Sequence, residues 1–352
     1  MGQCSFFTCR RYEYHFIGEN KTWKEAQSFC REHYTDLAKV YDMTDIKRLH
    51  DSVKNQTEAW IGLYSEPGNK RTWHWSLPGV EYNENKAKLG NVEPNSEHCE
   101  NCVWMKYWDQ EWKTLNCHEE KKGFICYNES SSDKFCLITE EKNWRQAQSY
   151  CREHHTDLAS GDQLEDDKLK EEIQDSDELW IGLFRDTWTW SDGSNFSFRH
   201  WDQGPFGDGR GQKNCTFLKT SGEWGSDRCH ERKPFFCYEE KLILIQESKT
   251  WDEALDHCRE HHRDLVSITD VHQQRWVQQR AKNASSPFVW LGLRYTCALD
   301  LWFWVNDHLV CYDNWGPGQE PDKCYHSAAM ARDGHKWFKK ADTDKFDFIC
   351  AV

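Results

Sequence analysis

Apolar residues recur at helical spacing in three separate stretches of the chain. The first stretch reads "KTWKEAQSFCREHYTDLAKV" from Lys21, and charged residues separate its Trp23, Ala26 and Cys30. This spacing predicts an amphipathic helix whose cysteine faces inward. Similar stretches begin at Lys142 and Lys249, so we expect three such helices.

Short apolar runs follow each predicted helix in the same order. Trp-(Ile/Leu)-Gly-Leu begins at Trp60, Trp180 and Trp290, and later runs read "GFICY", "FFCY" and "FDFIC". Such runs, bounded by turn-forming residues, are typical of buried strands. The repeated order indicates one structural unit present three times.

The three units are each the size of an ordinary domain, because their tryptophans are 120 and 110 residues apart. We predict copy one at residues 1–128, copy two at 129–239 and copy three at 240–352. The polar stretch "NESSSDK" reads as a linker between copies one and two. Only "YEEK" separates copies two and three, so those copies should lie close together.

Seventeen cysteines indicate an oxidising environment, because a reducing compartment does not sustain so many thiols without metals. They predict an extracellular location, either as a secreted protein or as a receptor ectodomain. Six glycosylation sequons agree with it, at Asn20, Asn55, Asn128, Asn195, Asn214 and Asn283.

Charge and hydropathy limit the classes of partner that this chain can bind. The net charge of −14 argues against nucleic acid and anionic membrane surfaces, whereas neutral sugars and cations remain open. No run of about 18 apolar residues occurs, and "MGQCSFFTCRR" lacks the apolar stretch of a secretory signal. We therefore expect a mature form, a fragment or an incomplete gene model, with no membrane segment in this chain.

A helix cysteine, Trp-Ile-Gly-Leu, a Trp followed five residues later by a cysteine, and a closing Phe-x-Cys together resemble the C-type lectin-like domain. The resemblance covers nearly the whole chain, and the tandem arrangement is similar to fish lectins and to receptors of the macrophage mannose receptor type. It implies an α+β fold in which two helices flank antiparallel sheets and a long loop carries the ligand site.

The resemblance also implies a disulfide framework. It pairs each helix cysteine with the closing cysteine of its own copy, and it pairs two cysteines across the long loop of copies one and two. The expected bonds are Cys30–Cys126, Cys151–Cys237, Cys258–Cys350, Cys102–Cys117 and Cys215–Cys229. Copy three has Asp342 where its second loop cysteine belongs, so Cys297 and Cys311, which flank a predicted hairpin, are the expected pair there. The odd remainder is Cys4, Cys9, Cys99, Cys136 and Cys324, so at least one is free or bonded outside this chain.

The sequence "GNVEPNSEHCENCVW" in copy one offers the oxygen ligands that calcium prefers. The resemblance implies that Glu93 and Asn95, on either side of a cis proline, bind both calcium and sugar together with Glu100. It further implies mannose, N-acetylglucosamine or fucose rather than galactose. The family's last two ligands form a Trp-Asn-Asp triplet, and this chain has Trp112, Lys113 and Thr114 instead. We therefore expect weak calcium binding, completed by water or by Asp109 and Glu111; the alternative is a loop retained only for its shape.

Copies two and three offer fewer oxygen ligands for calcium than copy one. Copy two lacks the motif in its loop and has Trp224-Gly225-Ser226 at the triplet. Copy three has Glu320-Pro321-Asp322 only one residue before Cys324, and Trp337-Phe338-Lys339 supplies no ligand. We expect calcium in copy one only.

Histidines and cysteines also bear on other kinds of site. The alternative for the loop of copy one is a zinc site formed by His98, Cys99, Cys102, Cys117 and His118, but an oxidising compartment favours the disulfide. The adjacent pairs His154–His155 and His261–His262 do not share one helical face and read as solvated surface. The chain has no nucleophile elbow, phosphate loop or His-Glu-x-x-His, so we expect no enzyme.

These observations predict a recognition protein that binds glycans through Glu93, Asn95 and Glu100 with weak calcium dependence. The alternative is a calcium-independent receptor or adhesion module that binds a protein ligand through aromatic side chains. Most of the candidate aromatics are expected to pack in the core; they are Trp73, Trp75, Trp188, Trp190, Trp302 and Trp304.

Overall fold

The computed structural model describes most of the chain. The described residues are 12–52, 58–66, 68, 70–89, 100–106, 112–129, 131–166, 169, 178–202, 212–306, 310–318 and 324–352. They form two compact units, residues 14–238 and residues 239–352, the latter joined by Tyr12 and Glu13.

The three predicted helices are present. Each begins with a capping box, in which the residue before the helix and the third helical residue exchange hydrogen bonds: Thr22 with Glu25, Asn143 with Gln146, and Thr250 with Glu253. Each helix buries its tryptophan, alanine and cysteine, as the spacing predicts. The helices are α1 (Trp23–His33), α2 (Met43–Ser52), α3 (Trp144–His154), α4 (Trp251–His261) and α5 (Val271–Ala281), with 3₁₀ turns at Glu84–Lys86 and Gly161–Glu165.

The predicted Trp-(Ile/Leu)-Gly-Leu strands are present as Ala59–Tyr64, Glu178–Asp186 and Phe288–Thr296, and the closing strands as Lys122–Tyr127, Lys233–Glu240 and Phe346–Ala351. The strands are β1 (Tyr12–Lys21), β2 (Asp36–Leu37), β3 (Ala59–Tyr64), β4 (Thr72–Trp75), β5 (Glu100–Lys106), β6 (Trp112–Asn116), β7 (Lys122–Tyr127), β8 (Phe135–Lys142), β9 (Asp157–Leu158), β10 (Glu178–Asp186), β11 (Thr189–Trp190), β12 (Cys215–Leu218), β13 (Trp224–Asp227), β14 (Lys233–Glu240), β15 (Leu242–Lys249), β16 (Asp264–Leu265), β17 (Phe288–Thr296), β18 (Leu301–Trp304), β19 (His326–Ala331), β20 (Trp337–Ala341) and β21 (Phe346–Ala351).

Three sheets of the same topology form from these strands. The first sheet has the order β1-β14-β3-β12-β13, the second β6-β5-β10-β7-β8 and the third β15-β21-β17-β19-β20. In each sheet the closing strand runs parallel to the Trp-(Ile/Leu)-Gly-Leu strand. Phe235 lies opposite Trp60, Phe124 opposite Trp180 and Phe348 opposite Trp290.

Copies one and two exchange halves. The first sheet joins the first half of copy one (β1–β3) to the second half of copy two (β11–β14), and the second sheet joins β4–β7 of copy one to β8–β10 of copy two. Copy three forms the third sheet from its own strands. The divisions after residues 128 and 239 therefore describe repeated sequence, and they remain a prediction as domain boundaries.

The exchange corrects two expected disulfides. Cys30 bonds to Cys237 and Cys126 bonds to Cys151, with Cα–Cα distances of 5.3 Å in both, in place of the expected Cys30–Cys126 and Cys151–Cys237. The physical reason is that the first sheet brings β14 beneath α1, and the second brings β7 beneath α3. Each helix cysteine therefore meets the closing cysteine of the other copy.

The remaining cysteines confirm three bonds and correct one. Cys102–Cys117, Cys215–Cys229 and Cys258–Cys350 form as expected. Cys297 bonds to Cys324 rather than to Cys311, because β17 pairs with β19 and the turn after β17 reaches the start of β19. Cys311 is also disulfide-bonded. Cys136 is the free cysteine among the described residues, while Cys4, Cys9 and Cys99 lie outside them.

Candidate functional site

The hairpin β5–β6 follows the predicted sugar loop of copy one along the chain. Its strands are antiparallel, and the Cys102–Cys117 bond joins them. Glu100, the first residue of β5, lies opposite Asn116, and only its backbone is described. Glu93 and Asn95 lie outside the described residues, as do Asp109 and Glu111.

The described half of this site, on β6, does not fit calcium. Lys113 stands where the resemblance implies an amide ligand, and its Nζ lies 5.7 Å from the ring centroid of Trp104, the residue opposite. Thr114, at the place of the carboxylate ligand, is buried at 3% exposure. A cation and a buried hydroxyl cannot replace an amide and a carboxylate around a hard cation. Any calcium would depend on Glu93, Asn95 and Glu100.

Two more lysines surround Trp104. Nζ of Lys122 lies 4.3 Å and Nζ of Lys106 lies 5.8 Å from its ring centroid. Both ammonium groups bind the carboxylate of Glu178, at 2.6 and 2.9 Å, and these bonds lower the pKa of Glu178. The positive charge near β6 further opposes a divalent cation on that side.

The corresponding hairpins of copies two and three are filled by aromatic rings. In copy two, a Cβ on Gly225 would lie 2.4 Å from the ring of Phe217, the residue opposite. In copy three, Phe338 lies opposite the small Ala329 and packs against Phe288, with ring centroids 5.8 Å apart. Each pair combines a large with a small residue, and neither Trp224-Gly225-Ser226 nor Trp337-Phe338-Lys339 supplies an amide or a carboxylate. Residues 203–211 and 319–323, which include the Glu320-Pro321-Asp322 motif, lie outside the described residues.

The zinc alternative loses both described thiols, because Cys102 and Cys117 are bonded to each other. His118 is half-buried, and burial, reinforced by the charge of Arg145, lowers its pKa to about 4. His98 and Cys99 lie outside the described residues.

The candidate aromatics lie mainly in the core. Trp75, Trp188, Trp190 and Trp304 are buried. Trp73 and Trp302 are half-buried. Two of the exposed apolar side chains among the described residues lie in copy three and were not expected from the sequence: Leu299 is 69% and Tyr325 is 76% exposed. Leu299 lies two residues after Cys297 and Tyr325 lies next to Cys324, so the β17–β19 pairing and the Cys297–Cys324 bond bring the two segments together.

A family model described as the lectin C-type domain matches residues 19–128, 140–239 and 247–352. The chain belongs to the C-type lectin domain family. No helix in the described part of this lectin-family chain is both long and apolar enough to cross a membrane.

Curated relatives of this C-type lectin chain are large receptors. The human secretory phospholipase A2 receptor is 23% identical over 364 residues, which cover 84% of this chain and 24% of the receptor. The C-type mannose receptor 2 of Rattus norvegicus is 22% identical over 95% of this chain and 28% of the receptor. The chain thus spans about a quarter of the length of these relatives.

Solved C-type lectin structures each match about one third of the chain. Human lithostathine is 23% identical, covering 31% of this chain and 88% of its own, with a TM-score of 0.29. The carbohydrate-recognition domain of cow CD23, in the presence of a GlcNAc2Man3 oligosaccharide, is 24% identical, covering 33% and 90%, with a TM-score of 0.29. A calcium-independent type II antifreeze protein is 21% identical, covering 32% and 84%, with a TM-score of 0.29.

Proposed function

We propose that this chain is an extracellular recognition protein that binds carbohydrate through copy one, with weak calcium dependence. One observation carries the proposal: β5 begins with a glutamate, Glu100, two residues before its loop cysteine, and it follows Glu93-Pro94-Asn95. The sequences before β12 and β19 lack the combination of Glu-Pro-Asn with a glutamate two residues before the loop cysteine. The C-type mannose receptor 2 among the relatives supports a glycan as the partner class.

The residues have distinct roles in this proposal. Calcium, when bound, supplies positions for two sugar hydroxyls in its shell. Glu93 accepts and Asn95 donates hydrogen bonds to the same hydroxyls, which favours the mannose, N-acetylglucosamine or fucose type. Because β6 contributes Lys113 and Thr114, the shell is short of protein oxygens, so binding is weak.

An extracellular location fits the cysteine chemistry. Disulfides join most of the described cysteines, as oxidising compartments allow. Three sequon asparagines, Asn20, Asn195 and Asn283, are exposed and so accessible to glycosylation. We propose a non-enzymatic role because the candidate residues are ligand-binding groups.

A glycan array with and without a calcium chelator tests this proposal. We expect binding of mannose-type glycans to fall at least tenfold with chelator, with Glu93→Gln and with Asn95→Asp. The matched control is Glu320→Gln in copy three, which should leave binding unchanged. Glycan binding that survives Glu93→Gln and Asn95→Asp would contradict the assignment to copy one.

A calcium-independent protein ligand is the second candidate, and the exposed pair Leu299 and Tyr325 favours it. Exposed tyrosine is enriched at interface hot spots. In this case, partner binding would persist in chelator and fall with Tyr325→Ala. Met43→Ala, at a residue 40% exposed on α2, is the control substitution.

A further inference from the structure

Helix α4 carries two imidazoles one turn apart. The ring centroids of His257 and His261 are 4.5 Å apart and the rings are stacked at 26°. Copies one and two have the same arrangement with an aromatic ring in place of the first histidine: Phe29 with His33 and Tyr150 with His154, each at 4.3 Å and 21°. Only copy three combines two nitrogen ligands at this position.

The hydrogen bonding of His261 fixes its tautomer. Its Nδ1 lies 3.0 Å from the carbonyl oxygen of His257. A carbonyl oxygen can only accept, so Nδ1 carries the hydrogen and Nε2 of the neutral ring keeps its lone pair. The side chain is exposed, so this nitrogen is available to a ligand from solvent.

The ring of His257 packs against an aromatic side chain as well as against His261. It is half-buried and packs edge-on against Phe348, with centroids 5.2 Å apart at 78°. An ordinary imidazole, with a pKa of about 6.5, is mostly neutral at pH 7. A neutral imidazole is the form that binds metals.

A carboxylate on β15 is within electrostatic range of the pair. Glu247 interacts with His257 and His261, and it is ion-paired with Lys249, with 3.0 Å between Oε2 and Nζ. The sequence signal for the histidine pair is the spacing His-x-x-x-His of His257 and His261. The expectation from sequence concerned only the adjacent His261 and His262 and so missed this spacing.

We propose that His257 and His261 chelate a divalent transition-metal ion, Cu²⁺ or Zn²⁺, on the exposed face of α4. Residues four apart on a helix have Cβ atoms about 5–6 Å apart. Two tetrahedral zinc ligands at about 2.0–2.1 Å place their nitrogens roughly 3.3 Å from each other, so the rings, stacked at 4.5 Å, must turn out of the stack to point at one ion. Water completes the shell, and Glu247 supplies negative charge nearby. The general order of affinities predicts tighter Cu²⁺ than Zn²⁺ binding.

The test is competition of the full chain, without a histidine tag, against a chromophoric chelator for Cu²⁺ and Zn²⁺. We expect one site that His257→Tyr weakens at least tenfold. This variant restores the residue of copy two, whose Tyr150–His154 stack shows that the helix accepts it. His261→Gln should cause the same loss. The control is His154→Gln, which removes a histidine from the equivalent turn of α3 and should leave the affinity unchanged.

An equal effect of His257→Tyr and His154→Gln would overturn the proposal, because it would show that binding is spread over surface histidines. The metal site is independent of the sugar site in copy one. Chelators remove both ions, so glycan binding is best compared in the His257→Tyr background. Calcium-dependent glycan binding should persist there, and failure of one proposal leaves the other testable.

Discussion

At the scale of single residues, the aspartate that begins each two-residue strand β2, β9 and β16 explains the repeated "CRE" and "DL" sequences. Asp157 accepts from Nε of Arg152 at 2.9 Å and from Oγ of Ser76 at 2.5 Å, and the two charged side chains are 2% and 3% exposed. In copy three, the equivalent Arg259–Asp264 pair is 3.3 Å long and its side chains are 50% and 23% exposed.

The serine accounts for part of this difference. Ser76 follows the Trp-x-Trp motif of copy one, while copy three has Val305 at that position. Val305 cannot donate a hydrogen bond to Asp264, so this aspartate loses a partner. Ser191 of copy two plays the same role for Asp36 of copy one, at 2.8 Å.

Removing the arginine should therefore have very different costs in the two units. We expect Arg152→Ala to lower the free energy of unfolding by about 3–5 kcal/mol, because it leaves Asp157 buried without its cation. Arg259→Ala should cost about 0–1 kcal/mol, because that pair is solvated. Urea unfolding of both variants measures this, and equal losses would contradict the proposed burial.

Three half-buried histidines, His74, His118 and His200, should make stability depend on pH because burial lowers the pKa of each to about 4. Burial lowers the pKa of His74 to about 4, against the opposing charge of Asp186, and it lowers the pKa of His200 to about 4 with help from Arg152. Because these folded-state values lie below the unfolded value of about 6.5, the unfolded chain binds more protons between pH 6.5 and 4. Stability should be constant above this window and fall as pH decreases through it.

We expect each histidine to remove about 1–2 kcal/mol by pH 4, after allowance for its partial exposure. Urea unfolding at pH 7, 5.5 and 4.5 measures the loss. His200→Gln should flatten the profile, whereas His230→Gln, at a residue with an exposed side chain, should not. An unchanged profile in His200→Gln would rule out this histidine as a cause.

At the scale of elements, the glycine of each Trp-(Ile/Leu)-Gly-Leu strand allows the backbone of β2, β9 or β16 to approach closely. Gly182 donates to the carbonyl of Ala159 at 2.9 Å and accepts from the amide of Ser76 at 2.7 Å. A Cβ at this position would lie 2.2 Å from Oγ of Ser160 and 3.1 Å from the carbonyl oxygens of Leu158 and Ala159. The repeated glycine is thus required by packing.

Gly182→Ala should lower the free energy of unfolding by about 1–3 kcal/mol through overpacking. Gly18→Ala is the control in the same unit, because its Cβ would meet only a ring atom of Phe16 at 3.9 Å. Thermal or urea unfolding of the two variants measures the difference. If both glycines tolerate alanine equally well, the close approach at Gly182 is not as tight as described.

The sequence predicted these elements well because their signals are local. Trp23, Ala26 and Cys30 mark one face of α1, and the Trp-Ile-Gly-Leu runs mark central strands. The spacing of His257 and His261 is an equally local signal, but the expectation from sequence concerned only the adjacent His261 and His262. By contrast, the opposition of Lys113 to Trp104, or of Gly225 to Phe217, depends on strand register, which the sequence alone does not give.

At the scale of the whole molecule, the exchange between copies one and two is supported by three kinds of contact. The strand order, the disulfides Cys30–Cys237 and Cys126–Cys151, and the bonds of Ser76 to Asp157 and Ser191 to Asp36 all cross between the copies. In copy three, the described strands of the third sheet and both cysteines of the Cys258–Cys350 bond belong to the copy itself.

The exchange could not be predicted from residue types. The closing strands "FICY" of β7 and "FFCY" of β14 present nearly the same side chains, so either one satisfies the strand and helix that it meets. Local patterns decide which elements form, and similar copies leave the choice of partner to chain connectivity. The resemblance to single C-type lectin-like domains therefore predicted that each helix cysteine bonds to a closing cysteine. It did not predict that, in copies one and two, the closing cysteine comes from the other copy.

The exchange determines which half of the chain supports the candidate sugar site. Hairpin β5–β6 of copy one packs on β10 of copy two, with Trp104 opposite Trp180. A fragment that contains copy one alone would lack this strand. Experiments on the sugar site should therefore use the full chain.

Mapping of the disulfides by mass spectrometry after proteolysis without reduction tests this account most directly. The account predicts linked peptides that contain Cys30 with Cys237 and Cys126 with Cys151. Cys258 with Cys350 serves as an internal control, because it should be linked in either arrangement. Peptides that link Cys30 to Cys126 and Cys151 to Cys237 would contradict the exchange of halves between copies one and two.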